Sequence, residues 1–447
     1  MLLAIPSAIA ERPNFVYLFV DDLRCDTFGY VGNPQAKTPN IDALASRGIV
    51  FDNAFVTLSI CSPSRATALT GRYAASVGVS IFGRQRIRDG VPLMPEMFRP
   101  YGYTTAIVGK WHVGNSPAEC GFDWHDTVAG NGRWYNRQGR IGDDPVVIKP
   151  YIEQWISDRS IAFLRDVKAS KQPFVLWHCT QVPHMDHRFD WPAREDSLVK
   201  FDASELPLPT TWNDNLIGKP PFFRTARSYV KAQKEYGYEQ ESKLRRHIQR
   251  YYAAVHEVDQ QIGRVIREIT RLGLAENTYI IFMSDNGWLL GEHGMTSKVV
   301  AYEKSIRVPL IIVGPSIGAD RRDQMVANID ILPTMLHLAG IDQPGGMHGE
   351  SLHDVMEDPT AQIRERLYYE SPSPQLVPRP QFAVRDGRYK YIETRETKNP
   401  DAVEFVELYD LDNDAEEATN LATAADQAAR IESMADQLRS LQKRFSQ

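Results

Sequence analysis

Acidic and amide side chains follow two of the apolar segments in this sequence. Asp21 and Asp22 come directly after the run NFVYLFV, and Asp285 and Asn286 come after the run YIIFMS. Three carboxylates and one amide are hard oxygen ligands, which suit Ca²⁺ or Mg²⁺ rather than zinc. Each pair taken alone is also typical of a turn, since Asp and Asn-Gly are turn formers. Their joint position after apolar runs favours a metal site.

A cysteine and an arginine lie four residues apart in the segment SICSPSRATALTGRY. Ser62 and Pro63 fit the start of a helix, and Gly71 fits its end. We therefore expect Cys61 just before a helix N-terminus, where free backbone N–H groups favour an anion. In a regular first turn, Arg65 projects toward the same side. A buried cysteine beside an arginine in a surface ion pair explains this spacing equally well.

Basic side chains follow two more apolar segments. Lys110 and His112 come after TTAIV, and His184 comes six residues after FVLWH. Each of them alone is typical of a surface lysine or of an ordinary hydrogen-bonded histidine. In open α/β sheets, however, ligands bind beyond the carboxyl ends of the strands. Polar residues at four strand ends therefore predict one common site.

Apolar runs that alternate with helical patterns predict the elements that carry these residues. The buried-strand candidates are Asn14–Val20, Thr104–Val108, Phe174–His178, Tyr279–Ser284 and Leu310–Val313. Helices are predicted over 38–48, 243–272 and 330–339, the second from apolar residues at steps of three and four. This order predicts an α/β fold with a large mixed, mostly parallel sheet sandwiched by helices.

The 447 residues exceed the length of about 250–300 at which single cores stop growing. We predict a catalytic α/β domain over 11–370. A smaller antiparallel-sheet subdomain over 371–447 follows from strands at 383–394 and 403–411 and a terminal helix. The first ten residues, MLLAIPSAIA, resemble the remnant of a secretory signal, although the basic n-region is missing. They predict a periplasmic or secreted protein, with the cytoplasm as the alternative.

Composition and charge exclude several classes of partner. The chain is 43% hydrophobic and 24% charged, with a net charge of −6, so no basic field recruits nucleic acid. No apolar run reaches the roughly 18 residues that span a membrane. An anionic substrate must be met by a local basic pocket. These features leave the oligomeric state open.

The motif C-S-P-S-R at 61–65 resembles the modification motif of type I, formylglycine-dependent sulfatases of the alkaline phosphatase-like superfamily. The segment GYTTAIVGKWH at 102–112 is similar to the second signature of that family. The DD, PH and SDNG sequences, with the lysine that follows SDNG, match in order and approximate spacing over roughly 14–315. The C-terminal strands match weakly. Ala68 departs from the larger apolar residue usual in the family, which concerns helix packing rather than chemistry.

The resemblance implies two cofactors. Cys61 would be oxidised to formylglycine by a formylglycine-generating maturation enzyme. One hydroxyl of the hydrated aldehyde would attack sulfur and expel the alcohol, and the second would collapse to the aldehyde and eject sulfate, a form of covalent catalysis. The second cofactor would be calcium, with magnesium less favoured. Its ligands would be Asp21, Asp22, Asp285, Asn286 and the modified Cys61.

The resemblance also implies roles for five basic residues. Arg65 and Lys110 would hold the diol and offset developing charge. His112 would take the proton of the second hydroxyl. His184 and Lys298 would bind the sulfate and protonate the leaving oxygen. Together these roles imply hydrolysis of sulfate monoesters.

Two loop segments mix arginine, histidine and aromatic residues. Arg133 and Trp134 lie in NGRWYNRQGRIG, and His187 and Arg188 lie in HMDHRFDW. Aromatic faces stack on sugar rings, and arginine binds carboxylate or sulfate through two parallel hydrogen bonds. We interpret these four residues as contacts to a sulfated saccharide substrate, although irregular surface loops explain them equally well.

Two other functions fit parts of the pattern. A phosphonate monoester or phosphodiester hydrolase of the same superfamily can share the metal site and the C-x-P-S-R motif. A non-catalytic glycan-binding protein would lack the nucleophile or a ligand, and this sequence has all of them. Hydrolysis of a sulfate ester is therefore the favoured prediction.

Overall fold

A computed structural model describes residues 12–374 and 378–445. Its strands are β1 (Asn14–Asp21), β2 (Ile49–Phe55), β3 (Thr104–Trp111), β4 (Trp124–Ala129), β5 (Arg137–Ile141), β6 (Asp144–Ile148), β7 (Phe174–Pro183), β8 (Thr278–Ser284), β9 (Leu289–Leu290), β10 (Thr296–Ser297), β11 (Leu310–Val313), β12 (Asp320–Ala327), β13 (Leu367–Ser371), β14 (Gln381–Arg385), β15 (Tyr389–Arg395) and β16 (Val403–Asp410). Its helices are α1 (Pro39–Ala45), α2 (Cys61–Thr70), α3 (Met94–Phe98), α4 (Ile152–Ser170), α5 (Glu195–Leu198), α6 (Arg227–Val230), α7 (Glu241–Arg271), α8 (Glu303–Ile306), α9 (Ile331–Leu338), α10 (His353–Glu357) and α11 (Ala428–Phe445). The leader predicted at 1–10 lies outside the described residues.

The described residues form a mixed sheet of ten strands in the order β12-β2-β11-β8-β1-β7-β3-β4-β5-β6. Its centre, β8-β1-β7-β3-β4, is parallel throughout, whereas β11, β5 and β6 run antiparallel to their neighbours. The carboxyl ends of the five central strands therefore meet at one edge. The predicted α/β fold is confirmed.

Helices cover both faces of this sheet. Side chains alternate along a strand, so Val16 and Val20 of β1 enter one core, and Phe15 and Phe19 enter the other. The first core is closed by α1, α4 and α7, and the second by α2, α3, α9 and α10. Across the described ranges, no helix is both long and apolar enough to cross a membrane.

A separate antiparallel sheet, β13-β14-β15-β16, forms the small C-terminal part, and α11 packs on it through Met434 and Leu438. The strand β13 straddles the domain boundary predicted at 370. The region 383–394 consists of two strands, because the backbone turns between Arg385 and Tyr389. The last two strands of the sheet, β5 and β6, were not predicted, since most of their residues are exposed and only β6 has a short apolar stretch.

Candidate active site

The four predicted oxygen ligands meet at the carboxyl edge of the sheet. The parallel register of β1 and β8 sets Val20 opposite Ser284, so the residues that follow emerge side by side. The backbone N–H of Asp22 donates to Asp285 Oδ1 at 3.1 Å, and Asn286 Nδ2 donates to Asp22 Oδ1 at 2.7 Å. Asp22 adopts a left-handed conformation, with φ of 60°, which Asp tolerates better than most residues.

Cys61 is the first residue of α2 rather than the residue before it. The extended residue Ile60 precedes the helix, and Gly71 ends it with φ of 64°. Ser62, expected at the start of the helix, is the second residue of α2, and its hydroxyl accepts a hydrogen bond from Gly83 N at 2.9 Å. The Cys61 sulfur lies 3.4 Å from Asp21 Oδ1. The thiol therefore faces the carboxylates at the N-terminus of a helix.

Arg65 is fully buried beneath the same group of residues. Its guanidinium contacts Asp285 Oδ2 at 3.1 Å and donates to the carbonyl oxygen of Lys110 at 2.9 Å. The alternative that Arg65 forms a surface ion pair is therefore wrong. Its contacts link α2 to β3 and to the end of β8.

Two lysines hold the carboxylates and the sulfur together. Lys110 donates to Asp21, and its Nζ lies 3.5 Å from Cys61 Sγ. Lys298 donates to Asp22, and its Nζ lies 3.0 Å from the same sulfur. Lys298 lies between Ser297, with φ of 81°, and Val299, with φ of 75°. Positive φ at a β-branched residue is a strained conformation of the kind concentrated at functional sites.

Both predicted histidines are held neutral. Burial, with the charge of Lys110 as a smaller cause, lowers the pKa of His112 to about 2. Burial likewise lowers the pKa of His184 to about 4. His184 Nδ1 lies 2.7 Å from the carbonyl oxygen of Met185, which makes Nδ1 the donor, and Nε2 lies 3.6 Å from Asp22 Oδ2. A neutral imidazole can accept a proton.

Crowding of the carboxylates shows in their pKa values. Burial disfavours the charge of Asp21, but its basic neighbours, Lys110 first among them, more than offset this effect and hold the pKa well below its usual range. Burial and the neighbouring Asp21 raise the pKa of Asp285 to about 7. The acidic groups therefore repel one another in the absence of a further cation.

The same residues satisfy the requirements of a metal site. Asp21, Asp22 and Cys61 each offer a ligand atom, and these atoms lie within 4.8 Å of one another. Asp22 Oδ2 and Asn286 Oδ1 are buried without a hydrogen-bond partner among the described residues. Unpaired buried oxygens are costly unless a ligand satisfies them. The oxygen donors of Asp21, Asp22 and Asn286 fit a hard divalent cation.

A cavity of about 210 Å³ opens onto Cys61. His112, His184 and Lys298 line it together with the aromatic rings of Phe189 and Trp288. The structure thus brings Cys61 and three predicted catalytic residues to one opening, whereas the predicted oxygen ligands, Arg65 and Lys110 do not line it.

The four predicted substrate contacts lie elsewhere. Trp134 is 1% exposed, and its Nε1 donates to the carbonyl oxygen of His184 at 3.2 Å, so it supports that segment from behind. Arg133, His187 and Arg188 are exposed but do not line the cavity. His187 and Arg188 face Asp186 at 3.5 and 3.2 Å.

Other residues that line the cavity were not predicted individually, although Asn131 and Phe189 lie in the two loop segments interpreted above as contacting the saccharide. Asn131 accepts a hydrogen bond from Lys110 at 2.8 Å. Phe189, Arg227 and Lys231 come from the region 185–240, which lacks apolar periodicity. The one sequence feature that could have indicated Arg227 and Lys231 is their spacing, since they are two cations four residues apart.

Known proteins resemble this chain over nearly its whole length. The family model described as Sulfatase matches residues 13–341, and the model described as N-sulphoglucosamine sulphohydrolase, C-terminal, matches 291–444. The N-acetylglucosamine-6-O-sulfatase of Bacteroides thetaiotaomicron is 27% identical over 97% of this chain and 87% of its own length. An ulvan-active sulfatase of Formosa agariphila is 30% identical over 86% of this chain and 73% of its own length.

Solved structures agree with the family match. A protein in complex with its substrate D-glucosamine-2-N,6-O-disulfate has a TM-score of 0.87 and 25% identity, covering 97% of this chain and 98% of that one. A phosphonate monoester hydrolase from Silicibacter pomeroyi has a TM-score of 0.80 and 21% identity over 97% and 96% of the two chains, a likeness of fold alone. The family models and relatives place the chain among the hydrolases of the alkaline phosphatase-like superfamily. Within it, the chain belongs to the sulfatase family and is a sulfuric ester hydrolase.

Proposed function

We propose that this enzyme hydrolyses a sulfate monoester of a carbohydrate, with formylglycine derived from Cys61 and a bound calcium ion. The observation that carries the proposal is the position of Cys61. Its sulfur lies at the floor of a cavity, 3.4 Å from Asp21 and 3.0 Å from Lys298. A reactive group, a carboxylate able to hold a cation and an ammonium able to hold an anion therefore converge on one point.

The side chains around position 61 have separate roles in hydrolysis. When present, the formylglycine hydrate and calcium supply the nucleophile and a Lewis acid. Lys298 and His184 line the cavity and are placed to bind sulfate, and the ammonium of Lys298 is placed to protonate the sugar oxygen as the bond from sulfur to that oxygen breaks. His112, held neutral by burial, can accept a proton at Nδ1, which has no partner among the described residues.

Two further residues fix the geometry beneath the cavity. Lys110 joins Asp21 to Asn131, and Arg65 joins Asp285 to the backbone of β3. Both cations approach the position where negative charge develops, so they stabilise the transition state electrostatically. Their burial strengthens this effect, because the local dielectric is low.

A sugar is the substrate class that the cavity and the relatives favour. The volume of about 210 Å³ is below the range of about 300–1,000 Å³ usual for drug-sized ligands, and suits one sugar residue. Phe189 and Trp288 offer aromatic faces for stacking. The relatives named above act on sulfated glucosamine or are active on ulvan.

The modification is tested by mass spectrometry of the peptide that contains Cys61. Protein produced together with a formylglycine-generating enzyme should carry the aldehyde at this position and hydrolyse sulfate esters. A fully active protein with an unmodified thiol would contradict the mechanism.

The reaction class and the metal need a separate assay. Matched aryl sulfate and aryl phosphonate esters should separate this function from that of the phosphonate hydrolases, with the sulfate ester the faster. A chelator should abolish turnover, and calcium should restore it better than magnesium. A strong preference for the phosphonate ester would refute the sulfatase proposal.

A further inference from the structure

A second pair of cations lines the cavity that contains Cys61. Arg227 begins α6, and Lys231 follows four residues later, where the helix continues as a π-turn over Lys231–Glu235. Residues four apart lie on the same side of a helical segment. Neither cation takes part in the chemistry described above, and π-turns are frequent at functional sites.

The charges of Arg227 and Lys231 act on each other, and Glu235 is the nearby acid that acts on Lys231. Neither forms an ion pair with a carboxylate in the part of the chain that the structure describes. Like charges four residues apart destabilise a helix. Partial burial, more than the charge of Arg227, lowers the pKa of Lys231 to about 8, with Glu235 acting in the opposite direction. An anion bound between Arg227 and Lys231 would relieve this repulsion.

An aromatic ring lies against both cations. Phe189 is 45% exposed and has φ of 61°, an uncommon conformation for a bulky residue. Lys231 Nζ lies 3.2 Å from the centre of its ring, and Arg227 Cζ lies 5.9 Å from it. Tyr236 donates a hydrogen bond to the carbonyl oxygen of Phe189 at 3.0 Å. The ring is therefore held by the same turn that carries Lys231.

We propose that Arg227 and Lys231 form a second anion-binding subsite. It would bind a sulfate or carboxylate substituent on the same sugar residue whose sulfate ester is cleaved at position 61. Phe189 would stack against that sugar. This inference rests on the proposed function, since it assigns that substrate a second negative charge.

The chemistry of the two cations supports this assignment. An arginine offers a planar fork of donors that matches the oxygens of either anion, and a lysine adds a point charge. The chain has a net charge of −6, so a doubly anionic sugar requires such local cations. A neutral sugar would leave the charge of both cations unused.

The test uses three glucosamine 6-O-sulfates that differ in the nitrogen substituent. The N-acetyl compound is neutral there, the N-sulfo compound carries a sulfate, and the N-succinyl compound carries a carboxylate. Affinity is measured calorimetrically in a Cys61→Ala background, where no turnover occurs, and kcat/KM is measured in the active enzyme. We expect one or both charged compounds to be favoured at least about ten-fold over the N-acetyl compound.

Substitutions then locate the source of that preference. Arg227→Gln and Lys231→Gln should each reduce the ratio of charged to neutral substrate by about ten-fold. Lys234→Gln, in the same turn but outside the cavity lining, should keep the wild-type ratio. Thermal melting of all variants checks that the turn still folds.

The outcomes separate the two proposals. No preference for charge, or a preference that survives both substitutions, would overturn the subsite. Preferential binding of a charged compound without hydrolysis of any sulfate ester would support the subsite and refute the proposed function. Hydrolysis of the N-acetyl compound at the same rate as the charged compounds would support the proposed function and refute the subsite.

Discussion

Two buried clusters of charge in this molecule have the same composition. The catalytic cluster contains Asp21, Asp22, Asp285, Arg65, Lys110 and Lys298, and the joint cluster contains Glu303, Glu407, Glu417, Lys219, Arg385 and Lys390. Each combines three acids with three cations, and every member of both clusters is buried. Burial and charge count alone therefore do not separate the two.

Two further features fail to distinguish them. Each cluster contains an acidic oxygen that lacks a hydrogen-bond partner among the described residues, at Asp22 and at Glu407. Each holds one acid in a left-handed conformation, with φ of 60° at Asp22 and 55° at Glu417. Unpaired oxygens and backbone strain mark a functional site only when a ligand can reach them.

Access and partners separate the clusters. In the joint cluster, Lys390 contacts Glu303 at 3.1 Å and Glu417 at 2.5 Å, and so joins the small sheet to α8. Lys219 lies 4.4 Å from the ring centres of both Tyr302 and Tyr409, which cover it. In the catalytic cluster a thiol lies between the ions and opens onto a cavity. The comparison assigns one cluster to stability and the other to chemistry.

The largest expected effect follows from removing the thiol of Cys61, which lies among the ions of the catalytic cluster and has no counterpart in the joint cluster. Cys61→Ala should lower kcat/KM by at least about ten thousand-fold, because the nucleophile is lost. Its melting temperature should stay close to that of the wild type. Cys120→Ala, at another buried thiol outside the cavity, is the matched control and should stay active. Comparable activity in the two variants would contradict the assignment of Cys61 as the precursor of the nucleophile.

The next effect is on stability and belongs to the joint cluster. Lys390→Met should destabilise the fold by about 3–5 kcal/mol, because it leaves Glu303 and Glu417 buried without their common partner. The kcat/KM of the folded fraction should remain within about two-fold of wild type, as for a site outside the chemistry. Urea unfolding and steady-state kinetics measure the two quantities. Lost activity with unchanged stability would instead assign the joint cluster to the chemistry of the enzyme.

The counterpart in the catalytic cluster is Lys298→Met. We expect kcat/KM to fall by about 100- to 1,000-fold, since this change removes a preorganised positive charge beside position 61, where the sulfate is proposed to bind. Stability should change less than in Lys390→Met, because Asp22 keeps its hydrogen bond from Asn286. A larger loss of stability than of activity would reverse the contrast between the clusters.

The catalytic cluster was largely predictable from sequence because its members follow apolar strands. The parallel pairing of β1 with β7 and β8 brings such strand ends together whatever the details of the loops. Arg227 and Lys231 were not predictable as cavity residues, since a short irregular segment folds back by tertiary contacts such as the hydrogen bond from Tyr236 to Phe189. Trp134 was predicted to contact the substrate but is buried, because residue type alone does not reveal which side of a loop is buried.

The smallest effect concerns a third kind of buried acid, one that supports the catalytic edge without a cation in direct contact. Glu153 of α4 accepts hydrogen bonds from the backbone N–H groups of Gln181 and Val182, just before His184. Burial raises the pKa of Glu153 to about 8, and those two hydrogen bonds offset only part of this effect. The folded state therefore holds this proton more tightly than the unfolded state, where the pKa is about 4.5.

The sign of the pH dependence follows from that difference. The contribution of Glu153 to stability is fully present below about pH 4.5 and is lost as the pH rises through about 8. Glu153→Gln keeps an acceptor for the two N–H groups but does not titrate. Its stability relative to wild type should therefore increase between these pH values, by about 1–3 kcal/mol. Urea unfolding at intervals across the window measures the change, and a constant difference would mean that Glu153 is already ionised in the fold.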